Sequence, residues 1–188
     1  MALGVGACGT VTRPTRAEGD ADLVVQDFCQ SFGQKAGLAI LSLFADSARF
    51  DIEGIGVGFV GRDDIGRLAE YGMAVHERLK VRDIEVSQDT VRCRLRESND
   101  WLGLLGVRRA TYNGWFWVSE GRILGARLEL TPESRDELAG KLAEFLSWLL
   151  VENPKALNRL LPGGRPTYDS RIVPELIVRL RQWQSRPR

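Results

Sequence analysis

The chain of 188 residues is short of the side chains that build metal and thiol chemistry: it has one histidine, His76, and three cysteines, Cys8, Cys29 and Cys93. No CxxC pair occurs and no His/Cys spacing suits zinc, so neither a metal nor a cofactor is expected. Cys29 falls in an apolar helical run and Cys93 in a strand, which reads as two buried thiols. Charge of one sign is also lacking. The formal net charge is +1, which leaves no surplus to neutralise phosphates and argues against a nucleic-acid partner. Arg92, Arg94 and Arg96 alternate along one strand and read as one solvated face. Long apolar runs are absent: no stretch approaches the roughly 18 apolar residues of a membrane span. There is no Gly-x-Ser-x-Gly nucleophile motif. The glycines 54, 56 and 58 lack the Gly-Lys-(Ser/Thr) that would contact a phosphate.

What is present is an ordinary globular composition, 44% hydrophobic, at the size of one domain with some excess. Three parts are expected: a leader over 1–20, an α+β domain over 21–131 and a helical extension over 132–188. Residues 1–20 are small, polar and glycine-rich and read as disordered. Within them, Val5-Gly6-Ala7-Cys8-Gly9 resembles the lipobox of bacterial lipoproteins, although the charged and apolar regions that precede a true lipobox are missing. Two readings stay open. Cys8 carries a lipid anchor and the protein belongs to the bacterial envelope, or the match is chance and the protein is cytoplasmic.

Apolar spacing predicts helices over 21–32 and 35–44, a strand over 48–53, a glycine turn and a helix from Arg62. From Leu79 the period changes to two. Strands follow at 81–86, 90–97, 109–118 and 122–130, with a bulge near Asp83 and a loop over 98–101. Their short connections predict an antiparallel meander. Thr131-Pro132-Glu133 starts a helix reaching about Val151, with Leu138, Leu142, Phe145, Leu146, Leu149 and Leu150 on its apolar face. A short helix from Pro154 and a last one over 173–183 complete the chain.

Four short stretches carry a family resemblance. Leu43-Phe44-Ala45-Asp46-Ser47-Ala48 and Phe59-Val60-Gly61-Arg62-Asp63-Asp64-Ile65 resemble the entries to the first strand and third helix of the nuclear-transport-factor-two-like superfamily. Tyr112-Asn113-Gly114 and Glu120-Gly121-Arg122-Ile123 resemble its late hairpin. The chain is most similar to the SnoaL-like branch, over about 21–131. The resemblance implies an α+β fold in which a cone-shaped, curved antiparallel sheet packs on N-terminal helices and encloses a pocket for a hydrophobic small molecule. It also implies a homodimer through the open sheet face, which the C-terminal helices would otherwise cover.

Family enzymes use cofactor-free acid–base chemistry of cyclase, isomerase or dehydratase type, with an acid on the last or first strand. The implied catalytic candidates are therefore Glu129 and Asp51, with His76 and Arg127 as polarising groups. Tyr71, Trp101, Tyr112, Trp115 and Trp117 are the candidates for substrate contact. Each has a plainer counterpart. Arg127 and Glu129 also read as an ion pair on a solvated face, Asp51 and Glu53 as an exposed strand face, and His76 as a helix-end residue. Trp115 and Trp117 share one face and Tyr112, Gly114 and Phe116 the other, so one of these sets faces the cavity. A non-catalytic binding or dimerisation module is the alternative function.

Overall fold

Where the hydrophobic period is two, six strands form one sheet in the order β2-β1-β6-β5-β4-β3. The computed structural model describes residues 20–34, 37–53 and 56–186; the leader with Cys8 lies outside them. The strands are β1 (Phe44–Glu53), β2 (Val57–Val60), β3 (Arg78–Ser87), β4 (Thr90–Ser98), β5 (Ala110–Ser119) and β6 (Arg122–Leu130). β3 to β6 make the expected antiparallel meander. β1 pairs with β6 in parallel, so the sheet is mixed rather than antiparallel throughout. The connection between them spans four strands and two helices, long enough for the parallel pairing that a tight turn forbids. Register shifts between Phe44 and Arg49, Arg82 and Glu85, and Trp117 and Val118 mark irregularities of the kind that bend strands. Asp83, with φ 52°, sits at the second of them, where the sequence predicts a bulge.

Helix α1 (Ala21–Ser31) lies against β3, β4 and β5 and buries Val24, Val25 and Phe28 completely. The helix expected over 35–44 is instead a 3₁₀ helix over Gly37–Leu43, and Phe44 already belongs to β1. Arg62, in helix α2 (Gly61–Ala74), donates from Nη2 to the Phe44 carbonyl at 2.9 Å, taking the acceptor that a continued helix would use. The loop expected over 98–101 contains the start of helix α3 (Asp100–Leu105), because Asn99 Oδ1 accepts from the Leu102 amide at 2.8 Å and caps it. The glycine turn is shorter than expected, since Val57–Val60 forms β2 against β1.

The C-terminal helices belong to the same hydrophobic cluster as the cone. Helix α4 (Pro132–Glu152) starts at the Thr131 cap as predicted, and α5 (Pro154–Leu160) is capped by Asn153, which accepts from the Ala156 amide at 2.9 Å. Leu138, Phe145 and Leu149 are buried, whereas Leu150, expected on the same face, is 57% exposed. Helix α6 (Val173–Gln184) packs on α3 and α4, with Leu180 and Trp183 buried and the Phe145 and Trp183 rings edge to face at 5.9 Å. Among the described residues, no helix is long and apolar enough to cross a membrane.

Candidate functional site

The inward phase of β4 runs Val91, Cys93, Leu95 and then Glu97, so strand geometry alone turns an acid toward the apolar interior. Glu77 precedes β3 in phase with Leu79 and Val81. Tyr112 stands on β5 in phase with buried Gly114 and Phe116. These side chains meet Tyr71 from α2, Trp101 from α3 and Tyr168 from the segment before α6. All line one cavity of about 390 Å³. Phe28 and Phe32 of α1, Phe50 and Ile52 of β1, and Leu128 and Leu130 of β6 build its walls, and Leu138, Leu142 and Phe145 of α4 close over it. Its size falls within the range of small-molecule sites.

Glu97 is held by two donors. The Tyr112 hydroxyl donates to Oε2 at 2.6 Å and Asn99 Nδ2 donates to Oε1 at 2.6 Å. Glu77 has no hydrogen-bond or ion-pair partner for its carboxyl among the described residues, while its amide donates to the Gly72 carbonyl at 2.8 Å. Two glycines leave it room. A Cβ on Gly72 would sit 3.2 Å from Glu77 Oε2, and one on Gly33 would sit 2.0 Å from the Glu77 carbonyl oxygen.

Burial pushes the Glu77 carboxyl well above the ordinary carboxylate range, and the negative charge of Glu97 adds to it. Glu97 is also raised by burial, but the hydrogen bonds from Tyr112 and Asn99 pull it back. Burial and mutual repulsion thus favour the protonated form in both carboxyls, and the two donors on Glu97 favour its charge over that of Glu77. Tyr71, Tyr112 and Tyr168 are raised by burial and then by Glu97, so all three are neutral donors. The Tyr71 and Tyr168 rings pack at 5.1 Å. Among the described residues, no group of three or more His, Cys, Asp or Glu is placed to hold a metal ion. Cys29 and Cys93 are free and buried as expected; burial pushes the Cys93 thiol up to about 12, away from thiolate chemistry.

The residues singled out in the sequence divide between two faces. Tyr71, Trp101 and Tyr112 line the cavity. Asp51, Arg127 and Glu129 do not: they stand on the opposite face of the sheet, in ion pairs. Asp51 meets Arg49 Nε at 2.6 Å, Arg127 meets Glu53 at 2.6 Å and Glu129 meets Arg135 at 3.4 Å. The physical reason is the phase of β6, where Ala126, Leu128 and Leu130 are buried and the residues between them are turned away. Trp115 and Trp117 share that outer face; Arg127 lies 5.5 Å above the Trp115 ring and Trp117 is 39% exposed. His76 is exposed, with Nδ1 2.7 Å from Asp100 Oδ2. The two carboxyls of the cavity were available to sequence reasoning as acids in the apolar phase of a strand.

No protein-family model and no curated protein matches the chain in sequence. Solved structures do match in fold. An LEH-like epoxide hydrolase from M. tuberculosis superposes with a TM-score of 0.53 at 16% identity, covering 68% of this chain and 96% of that one. SalBIII, an epoxide hydrolase/cyclase-like enzyme of pyran ring formation in the polyether salinomycin, gives 0.51 at 18% identity over 62% of this chain and 95% of its own. A de novo designed protein with a curved β-sheet gives 0.50 at 17% identity over 68% and 98%. The fold is that of the nuclear-transport-factor-two-like α+β cones, and a designed protein sharing it shows that the fold alone specifies no reaction.

Proposed function

We propose that this chain is a SnoaL-like small-molecule pocket protein that performs cofactor-free acid–base chemistry on a hydrophobic substrate. The observation that carries the reading is the asymmetry of the two cavity carboxyls. Glu97 accepts two hydrogen bonds and is prepared as a carboxylate, whereas Glu77 faces the same cavity without a partner and is prepared as an acid. The fold neighbours that are by name an epoxide hydrolase and a hydrolase/cyclase-like enzyme support proton-transfer chemistry of this type.

In an isomerisation, Glu97 takes a proton from the carbon beside a substrate carbonyl. The C–H electron pair forms the enol double bond, and Glu77 gives its proton to the carbonyl oxygen. Where the ketone is β,γ-unsaturated, the enol is a dienol, and return of the Glu97 proton at its γ-carbon, with the enol proton going back to Glu77, shifts the double bond and restores both groups. Cyclisation or dehydration uses the same pair, with Glu97 deprotonating the attacking hydroxyl or the carbon acid and Glu77 protonating the departing oxygen. Tyr112 and Asn99 position Glu97; Tyr71, Tyr168 and Trp101 pack against the substrate.

The test is exchange of carbon-bound hydrogen for deuterium in hydrophobic cyclic ketones and diketones, followed by NMR in heavy water. Protein-dependent exchange that Glu97→Gln abolishes, in a variant with an unchanged circular dichroism spectrum, is the expected result. If no member of the panel binds and none exchanges faster than with Glu97→Gln, the reading falls.

A further inference from the structure

The cavity contains two acids and, among its lining residues, no lysine, arginine or histidine. Arg127 is paired with Glu53, Arg135 with Glu129, and Arg78, the neighbour of Glu77, is exposed. Glu77 is half-buried, lines the cavity and has no partner for its carboxyl among the described residues. Three aromatic side chains line the same cavity as the acids: Tyr71 of α2, Trp101 of α3 and Tyr168 of the segment before α6. Acids in an apolar cavity without a counter-ion disfavour an anionic ligand and favour one that brings a positive charge. Ring faces add attraction for the same charge.

We infer that the ligand of this cavity is a hydrophobic amine, whose protonated nitrogen lies between Glu77 and Glu97 beside the rings of Tyr71 and Tyr168, with its apolar body against Phe28, Leu138 and Phe145. The inference rests on the reading of the cavity as a small-molecule pocket and names the class of ligand by its charge. The amine enters as its ammonium and pairs with the carboxyl groups of the cavity. Tyr112 from β5, Tyr71 from α2 and Tyr168 from the C-terminal segment line the same cavity as neutral hydroxyls, so the two glutamates supply the negative charge.

The test uses three probes of one shape, 4-phenylbutylamine, 4-phenylbutanol and 4-phenylbutanoate, with the full chain in titration calorimetry at pH 7. The amine is expected to bind about tenfold or more tightly than the alcohol, and the carboxylate most weakly. In Glu77→Gln the amine's advantage over the alcohol is expected to shrink, with Glu97 as the charge that remains. Glu77→Leu, which removes all polarity, gives the same pattern and guards against a folding defect in either variant. Equal binding of amine and alcohol, or an advantage undiminished in both variants, overturns the amine and leaves the pocket standing. Failure of all three probes to bind overturns both.

Discussion

The Tyr112 hydroxyl reaches Glu97 Oε2 at 2.6 Å across two adjacent strands, and both residues are buried, at 7% and 9% exposure. Hydrogen bonds to a charged acceptor contribute more than neutral ones, about 1.5–3 kcal/mol. Tyr112→Phe keeps the ring and removes the donor. It is expected to destabilise the fold by about 1–3 kcal/mol at pH 8, and by less at pH 5, because falling pH favours protonation of Glu97, which is raised by burial, and a protonated carboxyl needs the donor less. Urea denaturation at the two pH values measures both. Equal losses at both would show that the hydroxyl serves packing rather than the charge.

The cavity acids make stability fall with rising pH. Folded Glu77 is raised well above its ordinary value, so between that value and its folded one the native state binds more protons than the unfolded chain. Stability then decreases as pH rises through this window, and the penalty is absent below the ordinary value of about 4.5, where both states are protonated. Asp169 and Glu175, lowered by Arg171 and Arg159, act oppositely in more acid solution. The comparison that isolates Glu77 is therefore wild type against Glu77→Gln. The melting temperature of wild type is expected to drop from pH 5 to pH 8 more steeply than that of the variant. Parallel curves would place Glu77 in a solvated environment.

Much of the fold was legible because local rules and tertiary packing agree. The period-two stretches from 79 to 130, the Asp83 bulge and the Thr131-Pro132 start of α4 all appear where the residues place them. The site was legible only in part. Tyr71, Trp101 and Tyr112 line the cavity, whereas Asp51, Arg127 and Glu129, the candidates that the family resemblance implies on β1 and β6, stand on the outer face. Strand phase is the reason: Arg127 and Glu129 alternate with buried Leu128 and Leu130, so they had to point away. The same rule applied to β4 would have selected Glu97, the fourth member of a series whose other members are Val91, Cys93 and Leu95. Closure of the cavity by α4 to α6 has no local signature, because it depends on where long helices return in space.

Substitutions on the outer face should separate the two candidate sets. Asp51→Asn and Glu129→Gln remove partners of part-exposed ion pairs, each contributing about 0–1 kcal/mol. Neither side chain touches the cavity. Both variants are expected to bind 4-phenylbutanol with wild-type affinity, whereas Glu97→Gln changes it. An affinity loss in Asp51→Asn or Glu129→Gln as large as that in Glu97→Gln would return the chemistry to the outer face.

Gly33 determines how Glu77 enters the cavity. Its φ of +75° suits glycine, and a Cβ would lie 2.0 Å from the Glu77 carbonyl oxygen and 2.7 Å from its carbonyl carbon. The obstacle is backbone, so no side-chain rotation relieves it. Gly33→Ala must move either the end of α1 or the start of β3. The expected cost is about 2–4 kcal/mol, from a strained left-handed residue together with the clash. Gly140, exposed in the interior of α4 with nothing within 4 Å of an added Cβ, is the control. Gly140→Ala should gain about 0.5–1 kcal/mol from helix propensity. Because the clash falls on the residue that carries the unpartnered carboxyl, Gly33→Ala should also weaken amine binding more than alcohol binding, while Gly140→Ala alters neither. Calorimetry on the two variants distinguishes displacement of Glu77 from general loosening, which would weaken both probes equally.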